Sequence, residues 1–420
     1  MSRPLTLAGR GLTWALLLGT LVLPYPGGYP LAYFLILVSL LLCLWLLPAR
    51  IVPRLEPAGL MFLGAFVLIA IAFLATGSLA LVTNFAMFVV FVPLAAALAR
   101  NASPGGAVLV ARLALLGAAV ALGIAAWEVF GLRHGRAAGF NSDPIWSAQA
   151  AVVLGFLALV GLPQAAGIWR LLYWLGPVFG MATALLAGSR GPLLAVPVLF
   201  VVAMFLVVRR WWLALPVIVA TGFAAVAVVG VVYPGSLTRL ASLTTIAGEL
   251  ASGGAVSEVS SGQRLAFYQS AFSAFLEKPL FGYGWDNKVA AIRPYLADGG
   301  AMLDEGHHHL HSDILDFGVS AGALGLLAYA LIIAAPIAGA LALPRDSQYR
   351  SRLAGTALLA VGYLVCGLTY LMLGYEFHTT LYVCLAAILL GYCRDAPTPA
   401  AAGPACRLWP PRRWPRVRPP

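Results

Sequence analysis

Long apolar runs recur from one end of the chain to the other, separated by short segments that carry most of the charges and prolines. A run of about 20 mostly apolar residues is long enough to cross the hydrocarbon core of a bilayer as a helix. The fold class that follows is an all-α integral membrane protein with about 12 transmembrane helices. The predicted cores of these spans are 11–24, 31–48, 59–76, 78–99, 105–130, 144–162, 170–188, 191–208, 213–233, 318–343, 353–373 and 379–393.

The composition agrees with a membrane protein and excludes a soluble protein of this size. Hydrophobic residues make up 61% of the 420 residues and charged residues only 10%, whereas soluble domains carry about 25% charged residues. The five cysteines include no CxxC spacing. Neither a structural disulfide nor a cysteine metal site is therefore predicted.

The distribution of charge predicts which side of the membrane each loop faces. With cytoplasmic termini, 18 of the 26 Lys and Arg residues fall inside, together with three of the 15 Asp and Glu residues, which leaves a net +15 inside and −4 outside. This excess follows the positive-inside rule. Membrane topology and anionic inner-leaflet lipids therefore explain the net charge of +11, and no nucleic-acid partner is expected.

One extramembrane stretch, residues 234–317, is much longer than every other loop and divides the chain into regions. Residues 1–233 hold spans one to nine, residues 318–393 hold spans ten to twelve, and residues 394–420 form a basic tail on the cytoplasmic side. Elaborate chemistry outside the membrane has to be built mainly on the long outer loop, because short loops offer few side chains.

The long loop contains a predicted amphipathic helix. Ser260 and Gln263 match a capping box, and Lys278-Pro279 marks the end of the helix. Between them three aromatic residues follow one another at helical spacing: Tyr268, Phe272 and Phe275. We expect this helix to lie on the membrane or on the helical bundle.

Two arginines and a histidine cluster on the predicted outer side are the candidate functional residues, because charges at the membrane boundary need partners. Arg190 lies in a short turn between spans seven and eight, and Arg264 lies on the loop helix. A planar guanidinium binds phosphate oxygens in a bidentate fork, and an imidazole can accept a proton from a hydroxyl. Four of the six histidines are clustered before the tenth span: His307, His308, His309 and His311.

Each of these features also has a simpler interpretation. Arg190 alone can be an interfacial arginine whose head reaches water. The aromatic and glycine residues of the segment 278–285, which follows the loop helix, suit either stacking against a sugar or plain packing. If this segment were helical, His307, His308 and His311 would lie near one face. They could then bind zinc, with Asp304 or a water molecule as the fourth ligand. Because consecutive histidines point in different directions and no HExxH motif occurs, no metal or other cofactor is predicted.

Taken in order along the chain, these motifs resemble the O-antigen ligase family, within the larger group of bacterial ligases and O-antigen polymerases. The resemblance covers essentially the whole chain. One departure is that many members have His-Asn where this chain has His311-Ser312. The matching features are Ser189-Arg190-Gly191, Arg264, the turn from Pro279 to Gly284, His311-Ser312-Asp313-Ile314-Leu315, and an outer segment similar to Arg136-Ala137-Ala138-Gly139-Phe140 with Pro144 after it.

The resemblance implies transfer of an O-antigen polysaccharide from undecaprenyl pyrophosphate to a sugar hydroxyl of lipid A-core, in lipopolysaccharide biosynthesis. It implies an inverting, metal-independent glycosyl transfer at the periplasmic face of the inner membrane. His311 would be the general base on the acceptor, and Arg190, Arg264 and Arg136 would hold the donor pyrophosphate. The expected partners are the lipid-linked O-antigen, lipid A-core and membrane lipids.

Three alternatives stay open at this level. An O-antigen polymerase and a protein O-oligosaccharyltransferase of the same group use the same donor, so residues around the pyrophosphate do not separate them from a ligase. A lipid-linked glycan transporter belongs to a different class, and it is expected to place charges midway through its spans. Most charges here lie at span ends, which favours surface chemistry.

Overall fold

The computed structural model describes residues 3–47, 53–140, 143–207, 259–297 and 308–395, with a few isolated positions between these ranges. All regular secondary structure in the described part is helical. The helices are α1 (Arg3–Leu21), α2 (Pro24–Leu46), α3 (Pro57–Thr76), α4 (Met87–Arg100), α5 (Gly106–Ala126), α6 (Pro144–Leu157), α7 (Trp169–Leu172), α8 (Leu175–Leu186), α9 (Arg190–Leu206), α10 (Val259–Glu277), α11 (Lys288–Ile292), α12 (Asp313–Ala342), α13 (Tyr349–Gly367) and α14 (Glu376–Ala387).

Six helical segments of the described chain are long and apolar enough to cross a membrane, and three shorter apolar helices accompany them. These lengths and compositions are those of an α-helical membrane protein. The predicted ninth span, 213–233, lies almost entirely outside the described residues, so the total of twelve stays a prediction. The six long segments are Pro24–Leu46, Pro57–Thr76, Leu79–Arg100, Gly106–Gly131, Pro144–Gln164 and Asp313–Ala342.

Small residues allow the helices to approach closely. α6 packs along α8 where Gly155 faces Gly176, and a Cβ atom on either glycine would collide with the other's backbone. α12 packs along α3, where Gly339 leaves no room for a side chain beside Ala58. Such contacts favour helix association inside a membrane, because lipid tails supply no hydrophobic force between helices.

The end of the bundle opposite the candidate site is held together by a buried arginine. Arg352 of α13 is fully buried and donates to both carboxylate oxygens of Asp346 at 3.0 and 3.1 Å. Its guanidinium also donates to the carbonyl of Pro344 at 2.6 Å and to that of Cys393 at 3.0 Å. These bonds tie the α12–α13 connection to the end of the last helix.

α12 is broken at Gly322, and the turn after α10 fills the break. Gly322 has φ 61° and ψ −146°, a conformation that excludes a Cβ atom. The carbonyls on one side of the break accept from Tyr283 N and Gly284 N, each at 2.9 Å. On the other side, Ala323 N donates to Pro279 O at 2.7 Å and Leu324 N donates to Leu280 O at 3.5 Å. The turn thus supplies the partners that an unbroken helix would supply to itself.

Two local sequence predictions differ from the structure. α10 begins at Val259, so Ser260 lies inside the helix and is not its N-cap. The capping-box interpretation was wrong because a serine followed three residues later by glutamine also occurs within helices. The predicted seventh span, 170–188, is split into α7 and α8 with a turn between them. The predicted end of the loop helix is confirmed, because α10 ends at Glu277.

Candidate active site

Tyr370, in the loop between α13 and α14, is at the centre of the candidate site. Its hydroxyl donates to Asp143 Oδ2 at 2.9 Å, and burial together with this carboxylate raises the pKa of Tyr370, which keeps the hydroxyl protonated. Its ring lies 4.8 Å from the His309 ring and 5.5 Å from the His311 ring, measured between centroids. The other oxygen of Asp143 caps α6 by accepting from Ile145 N at 2.7 Å.

The segment before α12 presents two imidazoles side by side. Their rings lie 4.4 Å apart, and His309 Nδ1 accepts from the backbone N–H of His311 at 3.2 Å, which leaves Nε2 of a neutral His309 to carry the proton. His311 has a left-handed backbone with φ 56°, and its ring is stacked on Phe267 of α10. The segment is therefore not helical, and the shared helical face considered for a zinc site does not form among its described residues. His307 and Asp304 lie outside the described residues.

Arg264 approaches Tyr370 from α10. Tyr268 lies one turn further along α10 and therefore on the same face. The Tyr268 hydroxyl lies 2.8 Å from the carbonyl of Leu368 and 3.3 Å from that of His311. The charge of Arg264 acts on both Tyr268 and Tyr370, where it lowers their pKa values against the larger effect of burial. Arg264 thus lies beside the loop that carries Tyr370.

Arg190 begins α9, and this helix end packs against the same loop. A Cβ atom on Gly191 would collide with Thr369, and the Ser189 hydroxyl donates to Pro144 O at 3.3 Å. Arg190 is therefore held between the start of α6 and the residue that precedes Tyr370. The first turn of a helix of this length also offers backbone N–H groups and the positive end of the helix dipole, both of which favour an anion.

Arg136 lies in the loop after α5 and is tied to the end of α8. Its Nε donates to Ala187 O at 2.8 Å, three residues before Arg190. A buried carboxylate, Glu128, holds the following residues: its two oxygens accept from Ala138 N and Gly139 N at 3.0 Å and from Phe140 N at 2.6 Å. Glu128 lies in the π-helical turn Trp127–Gly131, which leads into this loop. The end of the helix before the loop therefore also holds the loop in place.

A buried ion pair supports the histidine segment from behind. Asp316 Oδ1 accepts from Leu310 N at 2.8 Å, and its other oxygen lies 3.6 Å from Lys288 Nζ. Lys288 is buried against Trp285, with its ammonium 3.5 Å from the ring centre. Burial lowers the pKa of Lys288, and the carboxylate of Asp316 acts in the opposite direction. The Tyr375 hydroxyl donates to His308 O at 3.2 Å, which fixes the start of the segment.

The arrangement brings guanidinium groups, a helix N-terminus and imidazoles to one end of the bundle. No group of three His, Cys, Asp or Glu side chains within the described ranges is arranged to hold a metal ion. Guanidinium groups and helix N-termini bind phosphate oxygens, and an imidazole transfers protons. The chemistry that this surface can support is group transfer from a phosphorylated donor.

Comparison with known protein families identifies a segment that contributes several of these residues. Residues 175–330 match the family model described as O-antigen ligase. The chain carries a domain of the O-antigen ligase family. This O-antigen ligase domain includes Arg190, Arg264 and His311, while Arg136 lies before the matched segment. No curated protein matches the chain.

Several residues of the candidate site were not predicted from the sequence. Asp143 and Tyr370, which share a hydrogen bond, are 227 positions apart in the chain. The Tyr25 hydroxyl donates to Glu128 Oε2 at 3.4 Å across 103 positions, so no local pattern connects either pair. For Glu128 the sequence gives only one indication of a role. It is an acidic residue near the end of an apolar run, where a charge without a partner is costly. Such a residue indicates a buried partner without saying which one.

Proposed function

We propose that the protein is an O-antigen ligase that transfers O-antigen polysaccharide from undecaprenyl pyrophosphate to a sugar hydroxyl of lipid A-core. The observation that carries the proposal is the convergence of Arg190, Arg264 and the His309–His311 segment around Tyr370. The family match supports the reaction class. Both substrates are lipid-linked, which suits a site at the end of a membrane bundle.

In the proposed reaction, His311 accepts the proton of the acceptor hydroxyl while its oxygen attacks the anomeric carbon of the donor sugar. The bond between that carbon and the pyrophosphate oxygen breaks, and undecaprenyl pyrophosphate leaves with the electron pair. Attack opposite the leaving group inverts the anomeric configuration. Arg190, Arg264 and Arg136 offset the negative charge that develops on the pyrophosphate, and the N-terminus of α9 adds to this field.

The proposed location is the inner membrane, with both termini in the cytoplasm and the site on the periplasmic side. The excess of basic residues at the end opposite the site supports this orientation. The buried Arg352 cluster lies at that opposite end.

The test is transfer by the purified protein in detergent, with lipid-linked O-antigen as donor and lipid A-core as acceptor. We expect Arg264→Ala to lower kcat by about 10²- to 10³-fold, the usual effect of removing one group that stabilises developing charge. His311→Asn keeps a residue that tolerates the left-handed backbone, and we expect a loss of about 10²- to 10⁴-fold because the base is gone. Arg133→Ala and His134→Ala are the matched controls, because both side chains are exposed at the same end of the bundle.

The products separate the alternatives. Lipid A-core that carries the glycan supports the ligase, and a longer donor-linked glycan identifies a polymerase. Glycan attached to an added acceptor protein identifies an O-oligosaccharyltransferase. Product that is lost when a chelator is added contradicts the metal-independent reaction, and His309→Ala tested beside His311→Asn decides which imidazole acts as the base.

A further inference from the structure

α10 has an apolar surface that the protein does not cover. One face of the helix is buried through Phe267, Ala271 and Ala274. On the other side Phe272 and Leu276 keep 61% and 59% of their surface exposed. The exposed surface continues into the turn after the helix, so we define the apolar stripe as Phe272, Leu276, Leu280 and Phe281. Contiguous exposed apolar surface of this kind indicates an interaction site.

The break in α12 marks a depth in the membrane. Residues 323–342, beyond the break, form a helical segment of 20 residues that is about 30 Å long. This length equals the hydrocarbon thickness of a typical bilayer. No charged residue occurs from 317 to 344, and Arg345 follows at the far end. The break at Gly322 therefore lies at the hydrocarbon boundary on the side of the candidate site.

Backbone contacts hold the apolar stripe at this same depth. Leu280 O accepts from Leu324 N directly at the break, and a Cβ atom on Gly322 would collide with the backbone of Leu280 and Phe281. Phe275 of α10 lies beside Gly318, one helical turn from the break. The C-terminal half of α10 is thus within about 6 Å of the boundary, comparable with the thickness of the headgroup layer.

The polar groups beside the stripe fit the same position. Lys278, exposed between the helix and the turn, has its ammonium 4.3 Å from the centre of the Tyr283 ring. The Tyr283 hydroxyl donates to Glu277 at 3.1 Å. A lysine and a tyrosine beside exposed apolar side chains are typical of the bilayer interface, where lysine meets lipid phosphate and the aromatic ring lies at headgroup level.

We propose that the apolar stripe inserts into the outer edge of the bilayer and anchors α10 there, with Lys278 at the lipid phosphates. α10 is then an interfacial helix whose buried face holds the histidine segment through Phe267. The lipid bilayer is the partner of this surface. This inference does not depend on the transfer reaction, because it concerns only the depth of the helix.

The test is the accessibility of spin labels in lipid nanodiscs. Phe272→Cys and Leu276→Cys, each made with Cys406→Ser, are labelled with a nitroxide, and their relaxation by oxygen and by a water-soluble nickel chelate is compared. Two references, also made with Cys406→Ser, calibrate the scale. Val67→Cys lies on an exposed side of α3 in the middle of a long apolar helix, and His134→Cys lies in an exposed loop at the site end.

We expect the ratio of oxygen to nickel accessibility at both stripe positions to exceed the ratio at His134→Cys several-fold and to approach that at Val67→Cys. Ratios equal to that at His134→Cys mean that the stripe faces water, and the proposal is then wrong. Low accessibility to both reagents means that protein covers the stripe, which also overturns it. The chain with Cys406→Ser alone, labelled in parallel, gives the background from the remaining cysteines, and an unchanged thermal unfolding midpoint shows that the variants are folded.

Discussion

Glu128 offers a sharp test of how the outer loop is held, because one carboxylate there satisfies three backbone N–H groups. Phe140 N donates to Oε1 at 2.6 Å, while Ala138 N and Gly139 N donate to Oε2 at 3.0 Å. Glu128→Gln keeps the shape of the side chain but replaces one acceptor oxygen with an NH₂ group that can only donate. At least one of the three N–H groups then loses its acceptor inside the protein.

The expected cost follows from these bonds. A hydrogen bond to a charged group contributes about 1.5–3 kcal/mol, and an unsatisfied buried donor costs about 1–3 kcal/mol. Because the two effects overlap for the same N–H group, we expect the closed loop to lose about 2–4 kcal/mol. Every 1.4 kcal/mol is tenfold in an equilibrium constant, so local opening should increase by roughly 30- to 700-fold.

Hydrogen exchange followed by mass spectrometry measures this opening in peptides that contain residues 136–140. Glu376→Gln is the matched control, since it makes the same change at the same end of the bundle and no backbone N–H within the described ranges donates to that carboxylate. Unchanged exchange of residues 138–140 in Glu128→Gln would refute the reasoning. Equal acceleration in every peptide would mean global destabilisation and would refute it as well. Transfer activity measured on the same samples shows whether the loop that carries Arg136 has to be closed for catalysis.

Three further predictions concern other parts of the site. Tyr370→Phe removes the hydroxyl that donates to Asp143 but keeps the ring beside the imidazoles. We expect a loss of about 1.5–3 kcal/mol in unfolding free energy and a fall of about tenfold or more in kcat of transfer; an unaltered kcat would exclude a role for this bond in transfer. Lys288→Met leaves the buried carboxylate of Asp316 without its cation, and we expect a loss of about 3–5 kcal/mol in unfolding free energy. Adding Asp316→Asn to it should recover part of that loss, and strictly additive losses would contradict the pairing. Gly322→Ala places a Cβ atom against the backbone of the inserted turn, so we expect a markedly lower unfolding temperature than for Gly123→Ala, a helical glycine with open space around it.

The membrane class and several helix positions were predictable because span length is a local property. α3 and α5 begin and end within a few residues of the predicted runs 59–76 and 105–130, since a bilayer requires about 20 apolar residues wherever a helix crosses it. The match of residues 175–330 to the O-antigen ligase family confirms, for that segment, the resemblance that was drawn from scattered motifs along the whole chain. The roles of Arg190, Arg264, Arg136 and His311 stay predictions until the transfer assay is done.

Helix breaks were harder to predict than helix lengths. The first half of α12 contains three glycines, Gly318, Gly322 and Gly325, and nothing in the local sequence distinguishes Gly322 from Gly318 as the residue at which the helix opens. The difference comes from the turn at Pro279, whose backbone supplies the hydrogen bonds that the broken helix gives up. A helix break inside a membrane protein is stable only where another segment satisfies its polar groups.

The sequence by itself determined the membrane class, the approximate spans and the residue types available for chemistry, because apolar run length and side-chain identity need no tertiary information. Only the tertiary structure decided that Tyr370 bridges Asp143 and the two imidazoles, and that Glu128 closes the loop of Arg136. Those contacts join residues from different helices, and their geometry depends on how the helices pack. Spacing along a chain fixes the face of one helix, but the distance between two helices is set by the side chains that fill the space between them.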